Sequence, residues 1–495
     1  MKRLLNRILL TTLIFLISGT NALLGQRALK NLEDLDKPDV RIGVLIATWQ
    51  ETYAREHFPQ AGILPLANTT DLLSLLRNGD CDVVFLARPA CIYILEEARD
   101  LSFLDEWVAP TSVSAGFPFH DTIFLSRFNE FLQQIRNQGI LKEMEERWLE
   151  KSGNTMPYFP ESTDSKEVLR IGTTCMDVPF TFYQKNQPAG FDIEMSRRFA
   201  AWLGRKPVFV ISDFTGMLAG MSAGKMDMMI NYIMVTPERS LKYSFSETYL
   251  ETYSSMVTLR SRMEQGVAVD KPKLGFRERF YNNLILDKRY ILLWDGLKIT
   301  LLIAVLSSLG GTLTGAFICT LRMSRRKILR FLASGHISLF RGIPQVVLLM
   351  LMYYVVFAST RMTGITVSVI TFSMIFGAYV SEMFRAAIQS VPRGQTEAGI
   401  ALGFSRTSTF FHVVLPQAVK QVYPIYKGEL IALTKLTSIV GYIAVQDLTK
   451  ASDLIRSRTF DAFFPLIVIS VIYFFISWGL TRLLDTALPT SIRHS

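Results

Sequence analysis

Five long apolar stretches crowd the C-terminal part of this chain, at roughly 291–321, 336–358, 364–388, 421–445 and 463–484. A water-soluble globule has no way to bury so much contiguous hydrocarbon from one end of its sequence. Each stretch is long enough to cross a hydrocarbon layer, which takes about 20 helical residues. Inside a bilayer the backbone must satisfy its own hydrogen bonds, so five membrane helices are predicted over 290–490. Arg322, Arg325, Arg326, Lys327 and Arg330 follow the first stretch with no acidic residue among them. Such a basic loop stays in the cytoplasm. Counting onward, the loop holding Glu397 and the C-terminus are also cytoplasmic, and the N-terminal half lies outside.

The start of the chain agrees with that orientation. Lys2, Arg3 and Arg7 precede an apolar core, Ile8–Ile17, and a small-residue site at Thr20-Asn21-Ala22. This is the layout of an export signal over 1–25; the core is about half the length of a membrane span, the competing reading. The net charge of +10 does not call for a nucleic-acid partner: it fits a membrane protein that keeps Lys and Arg at cytoplasmic helix ends, and basic and aromatic residues are not interleaved. Cys81, Cys91, Cys175 and Cys319 have no CxxC spacing, so no metal site is expected; a Cys81–Cys91 disulfide and free buried thiols both fit.

Between these segments the pattern changes. Short apolar runs at Val40–Ala47, Val83–Ala87, Val168–Thr173, Val208–Ile211 and Met228–Ile233 alternate with amphipathic stretches such as Phe128–Glu150 and Phe191–Leu203. That alternation predicts an α/β region with a mostly parallel sheet. Residues 151–165, rich in Gly, Asn, Pro, Ser and Thr, read as a loop, and a polar basic linker, 263–289, leads to the membrane.

The stretch RGQTEAGIALGFSRTSTFFHVVLP, 393–416, carries Glu397-Ala398-Gly399, then Gly403, then Leu415-Pro416. It resembles the cytoplasmic coupling loop of ABC-importer permeases. The resemblance extends over about 280–490 through GLKITLLIAVLSSLGGTLTGA, FRGIPQVVLLMLMYY, GAYVSEMFRAAIQSVPRGQTEA and KLTSIVGYIAVQDLTKAS, the pattern of polar amino-acid permeases. It implies a chain that moves a solute and is pushed by a separate ATPase subunit, which holds the ATP and Mg; no cofactor belongs to this chain. No G-x4-G-K-[ST] phosphate loop is found in the sequence, and no catalytic residue is assigned. It also implies a permease homodimer or heterodimer. Gly399 and Gly403, four apart, are expected on one face of a short helix from Glu397 to Phe404 that fits a groove of the ATPase, with Pro416 ending the loop. Within the spans, Glu382 and Arg385 are placed to pair, and Glu429 and Lys435 are further costly charges.

Residues 166–262 resemble lobe one of the polar amino-acid solute-binding proteins, through VLRIGTTCMDVPFTFY, PAGFDIEMSRRFAAWLG and SDFTGMLAGMSAGKMDMMINYIMVTPERSLKYSFSETY. Residues 27–160 resemble lobe two and the closing helices of lobe one, through RIGVLIATWQETYA, CDVVFLARPA and FNEFLQQIRNQGILKEMEERWLE. The order is inverted. Either one type II periplasmic-binding-protein-like module is circularly permuted, or two truncated modules stand in tandem; half a sheet alone would leave a large apolar face in water.

In this family the TPER arginine, here Arg239, holds the ligand's α-carboxylate, and an aromatic residue, here Phe214, covers its side chain. A planar, permanently charged guanidinium suits that task better than lysine. Several positions depart from the pattern. Tyr232 and Met234 stand before TPER, Ala47-Thr48-Trp49 replaces the usual GTT turn, and Asp177 stands where an aromatic residue precedes V-P-F. Ala87 replaces the aspartate that pairs with the ligand's ammonium and is followed by Arg88. An unpaired buried ammonium costs about 3–5 kcal/mol, so Asp177 is the candidate replacement, and Arg88 with Arg239 would suit a more acidic solute. The expected ligand set is Arg239, Phe214, Asp177, Thr48 and Arg88. The expected function is a fused receptor and permease for amino acids or related polar solutes, in the bacterial inner membrane. The alternatives are a module that has lost free amino-acid binding and serves in gating, or a ligand-gated channel-like receptor; the latter lacks a TVGYG-type filter and leaves the coupling loop unexplained.

Overall fold

The structure, a computed structural model, describes residues 29–487 apart from 30, 47, 105, 120, 151–154, 160–166, 264–274 and 361. The signal reading at 1–25 therefore lies outside the described residues, as do most of the 151–165 loop and the first part of the linker. The chain forms two compact units, Met1–Thr111 with Thr252–Lys273, and Ser112–Glu251 with Leu274–Ser495.

The first unit alternates strand and helix: β1 (Arg41–Leu45), α1 (Trp49–His57), β2 (Gly62–Leu66), α2 (Thr69–Asn78), β3 (Val83–Ala87), α3 (Arg88–Glu97), then β4 (Leu101–Phe103) and β5 (Val108–Val113). The sheet order is β2-β1-β3-β13-β4, with β13 (Leu250–Leu259) antiparallel to β3 and β4. All five residues of β3 are buried, as expected for a strand covered on both faces. Gly43 is required by packing: a Cβ there would lie 2.9 Å from Leu72 Cδ2 of α2. The chain enters and leaves this unit side by side, since the Leu29 N–H donates to the Arg262 carbonyl at 3.4 Å. Nearby, the Arg262 guanidinium pairs with the Asp82 carboxylate at 2.5 Å.

The second unit holds another sheet and the membrane helices. Its soluble elements are β6 (Gly116–Pro118), α4 (Thr122–Asn137), α5 (Ile140–Trp148), β7 (Val168–Thr173), the hairpin β8 (Phe182–Gln184) and β9 (Gln187–Ala189), α6 (Phe191–Trp202), β10 (Lys206–Ile211), α7 (Phe214–Ser222), β11 (Met228–Met229) and β12 (Tyr243–Phe245). The order β10-β7-β11-β6-β12 repeats that of the first sheet. In each, the fourth place goes to an antiparallel strand from a distant part of the chain, β13 in one and β6 in the other. The single amphipathic helix expected over 128–150 is two helices, because Gly139 at φ +76° breaks it. Both pack on α6. Glu194, fully buried, accepts from Arg147 at 2.7 Å, Arg198 at 2.8 Å and Trp148 Nε1 at 2.7 Å, which compensates an otherwise costly buried carboxylate.

The membrane half contains α8 (Tyr290–Arg322), α9 (Lys327–Gly342), α10 (Gln345–Leu351), α11 (Gly364–Ser390), α12 (Arg393–Ala401), α13 (Leu415–Leu436), α14 (Leu448–Thr459) and α15 (Phe464–Ala487). Among the described residues, α8, α11 and α15 are the single helices long and apolar enough to span a membrane. The expected second span is not one helix: α9 and the segment Gln345–Val356 meet at 110°, where Pro344 lacks the N–H that would continue the ladder. The expected fourth span is likewise the first arm of a bent pair, turning 55° between Ile443 and Leu448. The described residues of the expected linker form a helix at Phe276–Phe280 and turns reaching Lys288.

Small residues set the closest packing. A Cβ on Gly310, Gly311 or Gly315 of α8 would lie 2.5 Å from Ser373 Oγ, 2.7 Å from Phe376 Cδ1 and 2.7 Å from Val380 Cβ of α11. In lipid, where helices gain little from hydrophobic exclusion, such close approach supplies the dispersion contact. These glycines thus serve packing, and the 110° bend lies at Pro344. The same contacts run the two helices in parallel, so Arg322 reaches Glu382 at 3.6 Å. At the other end of α8, a Cβ on Gly296 would lie 2.7 Å from the Asp447 carbonyl. The segment around 442–448 and α12 therefore belong to opposite ends of the bundle.

Candidate functional site

Arg239 sits in the one-turn helix Pro237–Ser240, capped by the Thr236 hydroxyl, which accepts from the Arg239 N–H at 3.3 Å. Its guanidinium lies 5.1 Å from the Phe214 ring centroid and donates through Nη1 to the Met234 carbonyl at 2.9 Å. Phe214 opens α7, where the Asp213 carboxylate accepts from the Gly216 N–H at 2.6 Å. The structure thus brings these two expected residues together just beyond the C-terminal ends of β10 and β11. Burial lowers the Arg239 pKa, yet a guanidinium starting so high stays charged.

Asp177 follows β7 in a turn closed by two backbone bonds with Thr181, each 2.7 Å. Its Oδ2 accepts from the Asn231 amide at 2.8 Å and lies 2.8 Å from the Thr174 hydroxyl. Burial raises its pKa, opposed by the Asn231 and Thr174 bonds and then by the Lys450 ammonium. Asn231 Oδ1 in turn receives the Thr174 N–H at 2.8 Å and the Thr181 hydroxyl at 3.0 Å. The second buried carboxylate, Asp192 of the GFDIE run, accepts from the Tyr232 N–H at 2.6 Å and the Tyr249 hydroxyl at 2.8 Å. Burial pushes it up to about 7 against those bonds, and Asp177 adds to the rise. Tyr232 and Cys175 hold positive φ of 51° and 54°, an unfavourable backbone for such side chains that clusters at functional sites. Sequence reasoning missed Asn231, Thr174, Asp192 and Tyr249; the order GFDIE followed by an Asn after β11 was the available signal.

Thr48 and Arg88 belong to the other unit. Thr48 caps α1, accepting from the Glu51 N–H at 3.4 Å and donating to the Leu45 carbonyl at 2.6 Å. Arg88 is exposed at the start of α3, with its guanidinium 5.3 Å from the Trp107 ring centroid. Both stand at the C-terminal ends of the parallel neighbours β1 and β3, where sheets of this kind present ligand sites.

The 393–416 stretch, expected to be a coupling loop, is a helical hairpin. Its first arm is α12, and it stops before the expected end at Phe404. Gly403 takes φ +90°, its N–H reaches the Ile400 carbonyl at 2.9 Å, and the Phe404 N–H reaches the Gly399 carbonyl at 3.1 Å. That is a Schellman stop, which favours glycine at the left-handed position. Gly399 does not share an outward face with Gly403. It is buried, and a Cβ there would lie 2.5 Å from Thr409 Cγ2 of the short helix Arg406–Thr409. The chain then runs through a wide helical turn, Phe410–Val414, directly into α13, with Leu415 and Pro416 in its first turn. Pro416 therefore starts a helix rather than closing a loop. Glu397 and Ala398 are exposed, and so are Ile400, Leu402 and Phe404, with Leu402 at 78%. Apolar side chains so placed on a short rigid hairpin form a knob suited to a groove in another protein.

Within the bundle, a cavity of about 610 Å³ is lined by Arg341, Tyr379, Glu382, Arg385, Gln421 and Glu429, among others. Glu382 and Arg385 do pair, at 2.5 Å, and Arg385 also donates to Gln389 at 2.7 Å. Lys435 is exposed, and Glu429 lines the cavity wall.

The sequence profile of the bacterial extracellular solute-binding proteins, family 3, matches residues 169–424. A putative glutamine transport system permease protein of Rickettsia bellii is 35% identical over 185 residues, 36% of this chain and 84% of that protein. A probable amino-acid ABC transporter permease protein of Bacillus subtilis is 33% identical over 197 residues, 40% of this chain and 87% of that protein. Among solved structures, an amino acid ABC transporter crystallised with histidines is 34% identical and covers 41% of this chain and 95% of that one, with a TM-score of 0.38. With the Arg239 lobe and the helical bundle on one polypeptide, the chain belongs to the polar amino-acid ABC importers, joining a family 3 solute-binding part to a permease part.

Proposed function

We propose that this chain is the receptor-and-pore subunit of an importer for an amino acid or a related polar solute, driven by a separate ATPase. The observation that carries the reading is the joining of two parts in one chain. One is a lobe with Arg239 stacked on Phe214 at its strand ends. The other is a helical bundle ending in the exposed Ile400–Phe404 knob. Arg239 takes the solute's carboxylate through parallel hydrogen bonds, Phe214 covers its apolar part, and Asp177 meets its ammonium; Thr48 and Arg88 are the ligand residues proposed within the other unit. Glu397, Ala398, Gly399, Gly403, Leu415 and Pro416 form the lever, which the ATPase grips on the cytoplasmic side. The 29–262 region and the 442–448 end of the bundle face outward. Two permease subunits assemble around one path. The test is co-purification from native membranes followed by ATPase assay with a panel of amino acids; stimulation by none of them would remove the amino-acid reading.

We further propose that the binding module is a single circularly permuted one. Three observations support this. Both sheets are complete, each with its borrowed fourth strand. The chain's entry and exit meet at Leu29 and Arg262, where a permuted chain would have been opened. The family profile begins at residue 169, at β7, although β1–β5 of the first sheet lie upstream. A gating role without free-solute binding is favoured by one feature, the Asp177 carboxylate being already held by Asn231 and Thr174.

A further inference from the structure

We infer that the 168–249 lobe is a fixed part of the pore's end opposite α12, so that solute passes into the permease without any release of the receptor. The lobe meets the bundle through direct polar contacts. Lys225 is nearly buried, and its ammonium donates to the carbonyls of Phe357, at 2.5 Å, and Thr360, at 2.9 Å. These carbonyls follow the helical turns ending at Val356, where a helix end presents negative partial charge; the Phe357 carbonyl also accepts from the Thr360 N–H at 3.1 Å and hydroxyl at 2.8 Å. A lysine of the receptor thus caps a helix of the permease.

The Tyr354 hydroxyl of the bundle lies 3.1 Å from the Gly216 carbonyl of α7 and 2.9 Å from the Tyr442 carbonyl, and shares its one proton between them. Gly216 is where α7 touches the bundle: a Cβ there would stand 3.0 Å from the Tyr442 carbonyl and 3.1 Å from the Tyr354 hydroxyl. Further along, Tyr183 exchanges hydrogen bonds with Gln446 at 2.9–3.2 Å, and the Asn186 amide donates to the Lys288 carbonyl at 3.1 Å. Leu454 of α14 is 1% exposed, packed among Cys175, Tyr183, Ile193 and Ile211 of the lobe. An apolar cluster continuous across the two parts, flanked by hydrogen bonds between them, has the build of a permanent interface rather than a transient one.

The contacts run along one flank of the lobe, the length of α7: Gly216 in its first turn lies at the strand C-terminal edge, with Cys175 after β7, and Lys225 past its end lies at the opposite edge, before β11. A tethered receptor would still have to dock and undock at a finite effective concentration; a lobe held along a whole helix has no such step.

The experiment uses the full chain with its ATPase in proteoliposomes, carrying Asn186→Cys with Lys288→Cys; the four native cysteines are buried. The disulfide is expected to form under mild oxidation and to leave amino-acid uptake unchanged. Loss of uptake on oxidation, restored by a reductant, overturns the inference. A second measurement does not depend on transport: spin labels at Lys206→Cys and Met362→Cys, both exposed, should give one distance population, unchanged by nucleotide and amino acid. A second, longer population overturns the inference. The inference rests on the importer reading only for its uptake arm; a chain with one fixed distance but no amino-acid uptake keeps the docking and removes that reading.

Discussion

The guanidinium of Arg239 and the ring of Phe214 lie 5.1 Å apart, a cation and an aromatic face at the strand ends where a carboxylate-bearing solute would be met. Arg239→Lys keeps the charge but loses the planar fork. Charged hydrogen bonds of this kind contribute about 1.5–3 kcal/mol each, so the lysine variant is expected to bind its amino acid more than tenfold more weakly in calorimetric titration. A wild-type Kd in that variant would falsify the clamp.

Asp177→Asn tests the ammonium partner. The amide retains an acceptor for Asn231 and the Thr174 hydroxyl, so the turn should still fold, yet it carries no charge. Amino-acid binding is expected to be lost while the thermal midpoint stays near wild type. Equal affinity in both proteins would show that Asp177 only braces the turn.

Asp192 predicts how the lobe responds to pH. Its folded pKa is raised to about 7 by burial, above the roughly 3.9 of an exposed aspartate. Between those values the folded state holds the extra proton, so stability falls as pH rises from about 4 to about 7. Asp177 is raised as well and acts in the same direction. The expected result is a melting midpoint that drops between pH 5 and pH 8, followed through tryptophan fluorescence, and a smaller drop in Asp192→Asn. A rise over that range in the wild type would contradict the assignment.

Gly399→Ala should look favourable by helix propensity, by about 1 kcal/mol, and prove harmful in practice. The new methyl would stand 2.5 Å from Thr409 Cγ2, and overpacking of this kind costs about 1–3 kcal/mol. Coupled ATPase activity is expected to fall in the single variant and to recover in Gly399→Ala with Thr409→Ala. Failure of that rescue would mean that Gly399 is needed for something other than Thr409.

In the bundle, Gly315→Leu should prevent α8 from seating on α11, whose Val380 would lie 2.7 Å from even a methyl group. The expected outcome is a severe loss of folded protein by size-exclusion chromatography in detergent, while Gly335→Leu, with open space around it, is tolerated.

Much of this was legible because its signals are local. Apolar length marks the helical bundle, TPER puts Arg239 beside Phe214, and the Glu397–Pro416 spacing marks a helical hairpin. What escaped depends on neighbours distant in sequence. The roles of Gly399 and of Asn231 follow from Thr409 and from the β7 turn, and neither pairing has a period or a propensity. The 336–358 stretch has the hydropathy of a span, and only the geometry at Pro344 reveals two arms at 110°. Gly139 was equally visible as a letter, but whether a glycine interrupts a helix depends on what its two halves must reach.

The Schellman stop at Gly403, the tight seat of Gly399 on Thr409, and the helical path from Arg406 through Phe410–Val414 into α13 tie the hairpin directly to that helix. Pro424 inside α13 removes one rung of its ladder, so a displacement of Leu402 would be carried into the first turns of α13 and turned at Pro424.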